Sequence, residues 1–131
     1  QILSQISRQR GIEFFQVGNM LMANEMAPRV HNSGHWTIEG AQTSQFENHL
    51  RAILGLPLGT TEAVGFTAMI NCIGKIPDTE AVMNIPGAHL HWYGKKLLAD
   101  RKVGHITIRS DDQDKLETLV NQLLQLMIDC G

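Results

Sequence analysis

The sequence has little cysteine, little net charge and no long apolar run. Its two cysteines, Cys72 and Cys130, lie far apart and match no metal-binding or redox spacing. Lone cysteines suit a reducing compartment, so we expect a cytoplasmic protein. A net charge of -2 gives no general attraction for nucleic acid or a membrane surface. No apolar stretch approaches the roughly 20 residues that cross a bilayer. We therefore expect no nucleic-acid partner and no membrane partner.

Two further absences concern phosphate binding and the beginning of the chain. No glycine-rich phosphate-binding loop occurs in the 131 residues. The first residue is Gln1 rather than methionine, and residues 1–10 have the character of the end of a helix already begun. These features predict a fragment of a longer protein that is inactive alone.

The remaining composition predicts a folded α+β protein. Hydrophobic residues make up 43% of the chain and charged residues 18%, which is enough apolar material for a core. Ser44 and Glu47 form a capping box at the start of a helix that should end at Gly55. Three segments alternate as strands do, namely Thr67–Ile73, Ala88–Tyr93 and Val103–Arg109. A closing amphipathic helix, capped by Ser110 and Asp111, follows.

Two glutamates, Glu13 and Glu25, lie inside apolar segments that flank Gly18 and Asn19 as a predicted β-hairpin. A two-residue turn pairs Glu13 with Asn24 and sends Glu25 to the other face, whereas a three-residue turn pairs the two glutamates directly. We expect the three-residue turn. Facing carboxylates repel unless a cation lies between them, and magnesium prefers such ligands. The alternative is a pair of glutamates on an exposed strand surface.

Other polar residues have a structural and a functional interpretation. Arg29 could brace a loop, and His31 and His35 could cap it through backbone hydrogen bonds. His89 and His91 share a strand face, but no third metal ligand accompanies them, which favours structural hydrogen bonding. Four basic residues form a local cluster, namely Lys95, Lys96, Arg101 and Lys102. This cluster could be a solvated turn or a phosphate-binding site. Trp36 and Trp92 are expected to pack.

One long stretch of the sequence, residues 24–37, reads Asn-Glu-Met-Ala-Pro-Arg-Val-His-Asn-Ser-Gly-His-Trp-Thr. It resembles the signature loop of the 5-(carboxyamino)imidazole ribonucleotide synthases, the ATPase subunits of phosphoribosylaminoimidazole carboxylase and members of the ATP-grasp superfamily. The resemblance spans most of the chain and continues through further motifs at 43–47, 49–52, 55–59, 69–71, 89–95 and 101–106.

The resemblance implies both a fold and a reaction. The chain would be the C-terminal part of an ATP-grasp fold, with the end of the B subdomain in residues 1–60. A small C-terminal β-rich domain with a closing helix would occupy residues 61–131. The enzyme would be a carbon–nitrogen ligase of purine biosynthesis that uses ATP and bicarbonate to carboxylate 5-aminoimidazole ribonucleotide. It would work with Mg²⁺ and as a homodimer.

The resemblance also implies roles for individual residues. Glu13 and Glu25 match the magnesium ligands, and Asn24 and Glu25 match positions beside ATP. Three loop residues match positions of the bicarbonate and carboxyphosphate pocket, namely Arg29, His31 and Asn32, of which Arg29 and His31 are the candidate catalytic residues. Lys95 and Arg101 match residues that hold the ribonucleotide phosphate. A fixed guanidinium can grip a planar oxyanion through two parallel hydrogen bonds.

Two positions depart from the wider pattern. Many ATP-grasp relatives have an asparagine metal ligand where this chain has Ala27, which leaves Asn32 or water to complete the coordination. The basic loop has one basic residue fewer than the family's usual sequence, because Leu98 stands in place of an arginine. Alternatives are a sibling purine enzyme, such as formate-dependent glycinamide ribonucleotide transformylase, and a non-catalytic binding or assembly module.

Overall fold

The computed structural model describes residues 11–129 and divides them into two compact units. The first unit ends at Glu62 and the second begins at Ala63. The predicted helix end in residues 1–10 and the second cysteine, Cys130, lie outside the described residues. Among the helices of residues 11–129, none has both the length and the apolar composition that crossing a membrane requires.

The first unit begins with the predicted β-hairpin. Strand β1, Gly11–Val17, pairs antiparallel with β2, Met20–Ala27. Val17 pairs with Met20, so the turn has two residues, and Gly18 adopts a positive φ of 61°. Such φ values favour glycine and are typical of tight hairpin turns. The predicted three-residue turn is therefore wrong.

A β-bulge nevertheless brings the two glutamates opposite each other. The register changes between Glu13 and Phe14, because Phe14 pairs with Ala23 while Glu13 pairs with Glu25. Asn24 is the extra residue of β2 that this change leaves between paired positions. The expected pairing of Glu13 with Glu25 is thus present, but it is produced by a bulge rather than by the length of the turn.

The rest of the first unit is helical. A short 3₁₀ helix at Asn32–Gly34 is followed by α1, Thr37–Gly40, and α2, Gln45–Ile53. As predicted, Ser44 caps α2, since its hydroxyl accepts a hydrogen bond from the Glu47 amide at 3.2 Å. The Glu47 carboxylate accepts hydrogen bonds from Arg51 one turn later, at 2.6 and 3.0 Å.

The second unit is a three-stranded antiparallel sheet with two helices. The strands are β3, Phe66–Ile73, β4, Ala88–Trp92, and β5, Lys102–Ser110, and their spatial order is β3-β5-β4. A short helix α3, Thr79–Met83, precedes β4, and α4, Gln113–Asp129, closes the chain. The three strands and the closing helix were predicted, but α3 was not.

The core of the second unit lies between one face of this sheet and the helices. Its central strand β5 lies between β3 and β4 and is buried throughout residues 103–108. Apolar side chains from the sheet and from both helices form one cluster, namely Cys72, Val82, Ile85, Val103, Ile106, Ile108, Leu119 and Leu123. Burying a large aliphatic side chain contributes about 1.5–3 kcal/mol, so this cluster is the main source of stability here.

Two details differ from the sequence prediction. The cap of α4 is Asp112, whose carboxylate accepts from the Lys115 amide at 2.8 Å, rather than Ser110 and Asp111. Asp111 instead accepts a hydrogen bond from Arg109 at 2.7 Å, which uses its carboxylate before the helix begins. Trp92 does not pack as expected in this chain, since 64% of its surface is exposed.

Candidate functional site

Three potential metal ligands meet at the base of the hairpin. Each of Glu13, Glu25 and His31 offers a ligand atom, and these atoms lie within 4.8 Å of one another. His31 Nε2 is 3.3 Å from Glu25 Oε2 and 4.0 Å from Glu13 Oε2. Two facing carboxylates repel each other in the absence of a cation. Their oxygen donors are the type that Mg²⁺ selects, so the donor set fits this ion.

The bulge residue supplies a hydrogen bond to this carboxylate pair. The Asn24 side-chain amide donates to Glu13 Oε2 at 2.7 Å. Arg29 lies near the other glutamate of the pair, with its guanidinium 4.0 Å from Glu25 Oε1 and mostly exposed. Its Nη1 also donates to the Val30 carbonyl at 3.1 Å. The structure therefore brings five of the predicted residues together, namely Glu13, Asn24, Glu25, Arg29 and His31.

The His31 ring is held in one orientation by its own loop. His31 is the N-cap of the 3₁₀ helix, and its Nδ1 accepts from the Ser33 main-chain amide at 3.3 Å. The Ser33 hydroxyl is 2.8 Å from the same nitrogen. A backbone N–H can only donate, so neutral His31 carries its proton on Nε2. The ring consequently presents an N–H toward the carboxylate pair.

The main chain of His31 is held by Gln45, a residue for which the sequence predicted no role in the site. Gln45 Oε1 accepts from the His31 amide at 3.0 Å, and its Nε2 donates to the His31 carbonyl at 2.7 Å. The same Nε2 lies 2.7 Å from His35 Nδ1. All three contacts span 10 or 14 residues, so no local sequence pattern could have indicated them.

The remaining loop residues have structural contacts. The Asn32 carbonyl accepts from the His35 amide at 3.0 Å and so closes the 3₁₀ turn. His35 packs against Phe46, with ring centroids 5.0 Å apart. The coordinating role of the Asn32 side chain stays a prediction.

The predicted phosphate-binding residues lie in the second unit, in the connection between β4 and β5. Both Lys95 and Arg101 are exposed. The Lys95 ammonium lies over the Tyr93 ring, 5.0 Å from its centroid, in a cation–π contact. The main chain of Arg101 is fixed, since its carbonyl accepts from the Gly74 amide at 2.8 Å and its amide donates to the Leu98 carbonyl at 2.9 Å.

A group of aromatic and histidine side chains lies beside this basic connection. The Tyr93 hydroxyl is 2.6 Å from Nδ1 of the buried His105. His91 stacks on His105, with centroids 4.4 Å apart and ring planes 13° from parallel. Within residues 11–129, neither His89 nor His91 belongs to a group of three potential metal ligands.

Comparison with known proteins matches both units. Residues 67–118 match the family described as phosphoribosylaminoimidazole carboxylase C-terminal domain, and residues 9–46 match the ATP-grasp domain. The N5-carboxyaminoimidazole ribonucleotide synthase of Pseudomonas aeruginosa is 55% identical over 115 residues, which cover 88% of this chain and 32% of that protein.

Solved structures give the same result. The N5-carboxyaminoimidazole ribonucleotide synthetase of Thermus thermophilus is 62% identical with a TM-score of 0.85, over 89% of this chain and 32% of that one. The Aspergillus clavatus enzyme, solved with ADP and 5-aminoimidazole ribonucleotide, is 40% identical with a TM-score of 0.80. That match covers 91% of this chain and 35% of that one.

The fold and the sequence matches define the chain as part of an ATP-grasp protein, with its ATP-grasp portion in the first unit and the carboxylase C-terminal region in the second. Within that superfamily, the chain is similar to the N5-carboxyaminoimidazole ribonucleotide synthases. It spans about a third of the length of the curated relatives that it matches.

Proposed function

We propose that this chain supplies the metal-binding glutamates and part of the substrate pocket of an ATP-dependent carbon–nitrogen ligase. In the proposed reaction, bicarbonate attacks the γ-phosphorus of ATP and ADP leaves, giving carboxyphosphate. The amine of 5-aminoimidazole ribonucleotide then attacks the carboxyl carbon, phosphate leaves, and 5-(carboxyamino)imidazole ribonucleotide forms. The observation that carries the proposal is the facing pair Glu13 and Glu25 with the His31 N–H directed at it.

The carboxylate pair is proposed to hold Mg²⁺ together with ATP. Glu13 and Glu25 face each other across the hairpin, and Asn24 donates to Glu13 from the bulge. When bound, the ion would neutralise charge on the transferring phosphoryl oxygens. The Asn24 amide holds the Glu13 carboxylate in one orientation, so the pair needs little rearrangement to accept a cation. Asn24 and Glu25 are the proposed neighbours of ATP.

Arg29 and His31 are proposed to bind the bicarbonate and carboxyphosphate oxygens. Both side chains lie within 4.0 Å of Glu25, so an oxyanion beside this carboxylate would be within reach of each. The exposed guanidinium offers paired donors that match a planar oxyanion. The His31 Nε2–H offers a third donor from a fixed ring. Asn32 is the proposed further contact from the same loop.

Lys95 and Arg101 are proposed to bind the ribonucleotide phosphate. Two exposed cations in one connection are a suitable site for a dianion, and Tyr93 limits the movement of the Lys95 ammonium. In the whole protein we further propose a cytoplasmic homodimer. The relative from Aspergillus clavatus, whose structure contains ADP and 5-aminoimidazole ribonucleotide, supports the choice of substrates.

A chimaera tests this proposal directly. Residues 11–129 of this chain would replace the aligned third of the Pseudomonas aeruginosa relative, and phosphate release would be measured with ATP, bicarbonate and 5-aminoimidazole ribonucleotide. We expect ribonucleotide-dependent release that Glu25→Gln abolishes. The matched change Glu80→Gln, at an exposed position of α3, should leave it unchanged. The 131-residue chain alone should release none. A folded chimaera that binds ATP without ribonucleotide-dependent release would contradict the proposal.

A further inference from the structure

The Gln45 carboxamide uses every hydrogen-bonding group that it has on the loop carrying His31. Its oxygen accepts from the His31 amide at 3.0 Å, and its nitrogen donates to the His31 carbonyl at 2.7 Å. The second N–H is directed at His35 Nδ1, 2.7 Å away. A main-chain amide can only donate and a carbonyl can only accept, so these partners fix which end of the carboxamide is oxygen.

The same contact explains the sequence of the loop. A Cβ at Gly34 would lie 2.7 Å from Gln45 Oε1 and 2.8 Å from its Cδ, so a side chain there would displace the Gln45 carboxamide from its present contacts. The Thr37 hydroxyl donates to the Gly34 carbonyl at 2.6 Å and accepts from the Gln45 amide at 2.9 Å. Gln45, in the first turn of α2, therefore holds the loop at three residues. It bonds directly to His31 and His35, and it is linked to Gly34 through the Thr37 hydroxyl.

Fixing the His31 main chain also fixes its ring. The ring nitrogen Nδ1 accepts from the Ser33 amide only while residues 31–33 keep the N-cap geometry of the 3₁₀ helix. That contact places the proton on Nε2, 3.3 Å from Glu25 Oε2. A protonated Nε2 cannot ligate a metal, but it can donate to an anion. Of the three clustered residues, Glu13 and Glu25 can therefore ligate a metal ion, whereas His31 can donate a hydrogen bond to an anion.

We infer that Gln45 is a positioning residue, which keeps His31 as an Nε2–H donor to a metal-bound oxyanion rather than as a metal ligand. This inference rests on the proposed function for the choice of anion. The contacts of Gln45 with the His31 loop do not depend on that choice. Without the carboxamide, the His31 amide loses its partner and the His31 carbonyl keeps only the Gly34 amide, 3.0 Å away. The loop is then held less firmly, and the ring loses its fixed distance from the carboxylate pair.

NMR of the 131-residue chain tests this role of Gln45 without any ligand, through the amide exchange and the ring tautomer of His31. Gln45→Met removes all three contacts and keeps the length and helix propensity of the side chain. We expect exchange of the His31 amide to accelerate about tenfold or more, because one hydrogen bond is lost. The ring should change from a pure Nε2–H tautomer to a mixture. Gln42→Met is the matched control, since the Gln42 side chain and main-chain amide both donate to Glu62 rather than to the loop. Unchanged exchange and tautomer at His31 would overturn the inference.

Metal and anion titrations then separate positioning from coordination. With Mn²⁺ as the probe, Gln45→Met should change metal affinity by less than about twofold. The affinity of the Mn²⁺-loaded chain for inorganic phosphate should fall about tenfold, the effect of one hydrogen bond to a charged group. Combining Gln45→Met with His31→Gln should give no loss beyond His31→Gln alone. Equal losses of Mn²⁺ and phosphate affinity would instead make His31 a ligand and overturn the inference.

Two further outcomes are distinguishable. If Gln45→Met unfolds, Gln45→Glu keeps the acceptor for the His31 amide and loses the two donors, and it should give an intermediate exchange rate. If the unsubstituted chain binds no Mn²⁺, the proposed metal function fails, while the exchange and tautomer measurements still decide the role of Gln45.

Discussion

Asn24 donates a hydrogen bond to the Glu13 carboxylate at 2.7 Å from the position that the β-bulge inserts into β2. The bulge therefore does two things at one residue. It shifts the register so that Glu25 faces Glu13, and it places an amide donor beside the pair. A regular hairpin with the same turn would pair Glu13 with Asn24 and separate the carboxylates.

The first prediction concerns this amide. Asn24→Asp places a third carboxylate beside Glu13, so we expect the first unit to lose about 1 kcal/mol of stability without divalent ions. Mn²⁺ should restore most of the loss. Calorimetric unfolding with EDTA or Mn²⁺ measures both values. Asn19→Asp, in the turn of the same hairpin, is the control and should respond little to Mn²⁺. Equal behaviour of the two variants would refute this role for Asn24.

A second prediction follows from repulsion between the glutamates. Glu13→Gln or Glu25→Gln should make the metal-free chain more stable and lower its Mn²⁺ affinity by at least about tenfold, because one of two charged ligands is lost. Electron paramagnetic resonance of free Mn²⁺ measures the affinity. Glu80→Gln, which removes an exposed carboxylate of the second unit, should change neither quantity. Lower metal-free stability in both glutamate variants would contradict net repulsion. It would mean that hydrogen bonds from neighbouring residues already outweigh the repulsion between the two carboxylates.

The third prediction concerns pH and the buried thiol. Burial raises the pKa of Cys72 above its ordinary value of 9.0. The thiol is therefore neutral in the folded state when the unfolded thiol begins to ionise. Its contribution to stability is fully present below about pH 9 and is lost as the pH rises through the raised pKa. Cys72→Ala should remove this part of the decline, measured by urea unfolding from neutral to alkaline pH. An identical decline in the variant would show that other groups cause it.

The fourth prediction separates two roles of Tyr93. Tyr93→Phe removes the hydroxyl bound to His105 but keeps the ring beneath Lys95, so the second unit should lose about 1 kcal/mol. Tyr93→Leu should lose more and should also increase the mobility of Lys95. Urea unfolding gives the stabilities, and relaxation of the Lys95 side-chain resonances gives the mobility. Increased Lys95 mobility in Tyr93→Phe would contradict a contact made by the ring.

The fifth prediction tests the basic connection in a full-length enzyme that contains this sequence. Arg101→Ala should raise the KM for 5-aminoimidazole ribonucleotide about 30- to 150-fold, which corresponds to about 2–3 kcal/mol for a charge-assisted contact. The KM for ATP should change little, because ATP is assigned to the glutamates of the first unit. Lys96→Ala, one residue after Lys95, is the control. A raised KM for ATP with an unchanged KM for the ribonucleotide would show that Arg101 does not bind the ribonucleotide phosphate.

Much of this fold could be predicted from local patterns. Alternation located β3, β4 and β5, helical periodicity located α4, and Ser44 located the start of α2. Each of these signals lies within one element. The cap of α4 was misplaced because Ser110, Asp111 and Asp112 are all good caps, and the choice depends on Arg109 taking the Asp111 carboxylate.

The candidate site was harder to predict, because its geometry depends on contacts between elements. Spacing alone indicated that Glu13 and Glu25 could face each other, but the turn was predicted with the wrong length. A bulge has no fixed sequence signature, and this one depends on where Asn24 finds a partner. Gln45 was missed for a similar reason, since its three partners lie on a different element.

The bulge at Asn24 also has a consequence for protein engineering. With the present spacing, Glu13 can face Glu25 either through a two-residue turn with one bulge or through a three-residue turn with none. Deletion of Asn24 should therefore keep the pair, on a regular hairpin, and lose its amide donor. Insertion of one residue beside Gly18 lengthens the turn to three residues. With the bulge retained, Glu13 still faces Glu25. Without the bulge, regular pairing of the strands would place Asn24 opposite Glu13. A redesign of this hairpin must therefore preserve the bulge, delete its extra residue, or lengthen the turn to residues 18–20 without changing the length of the chain.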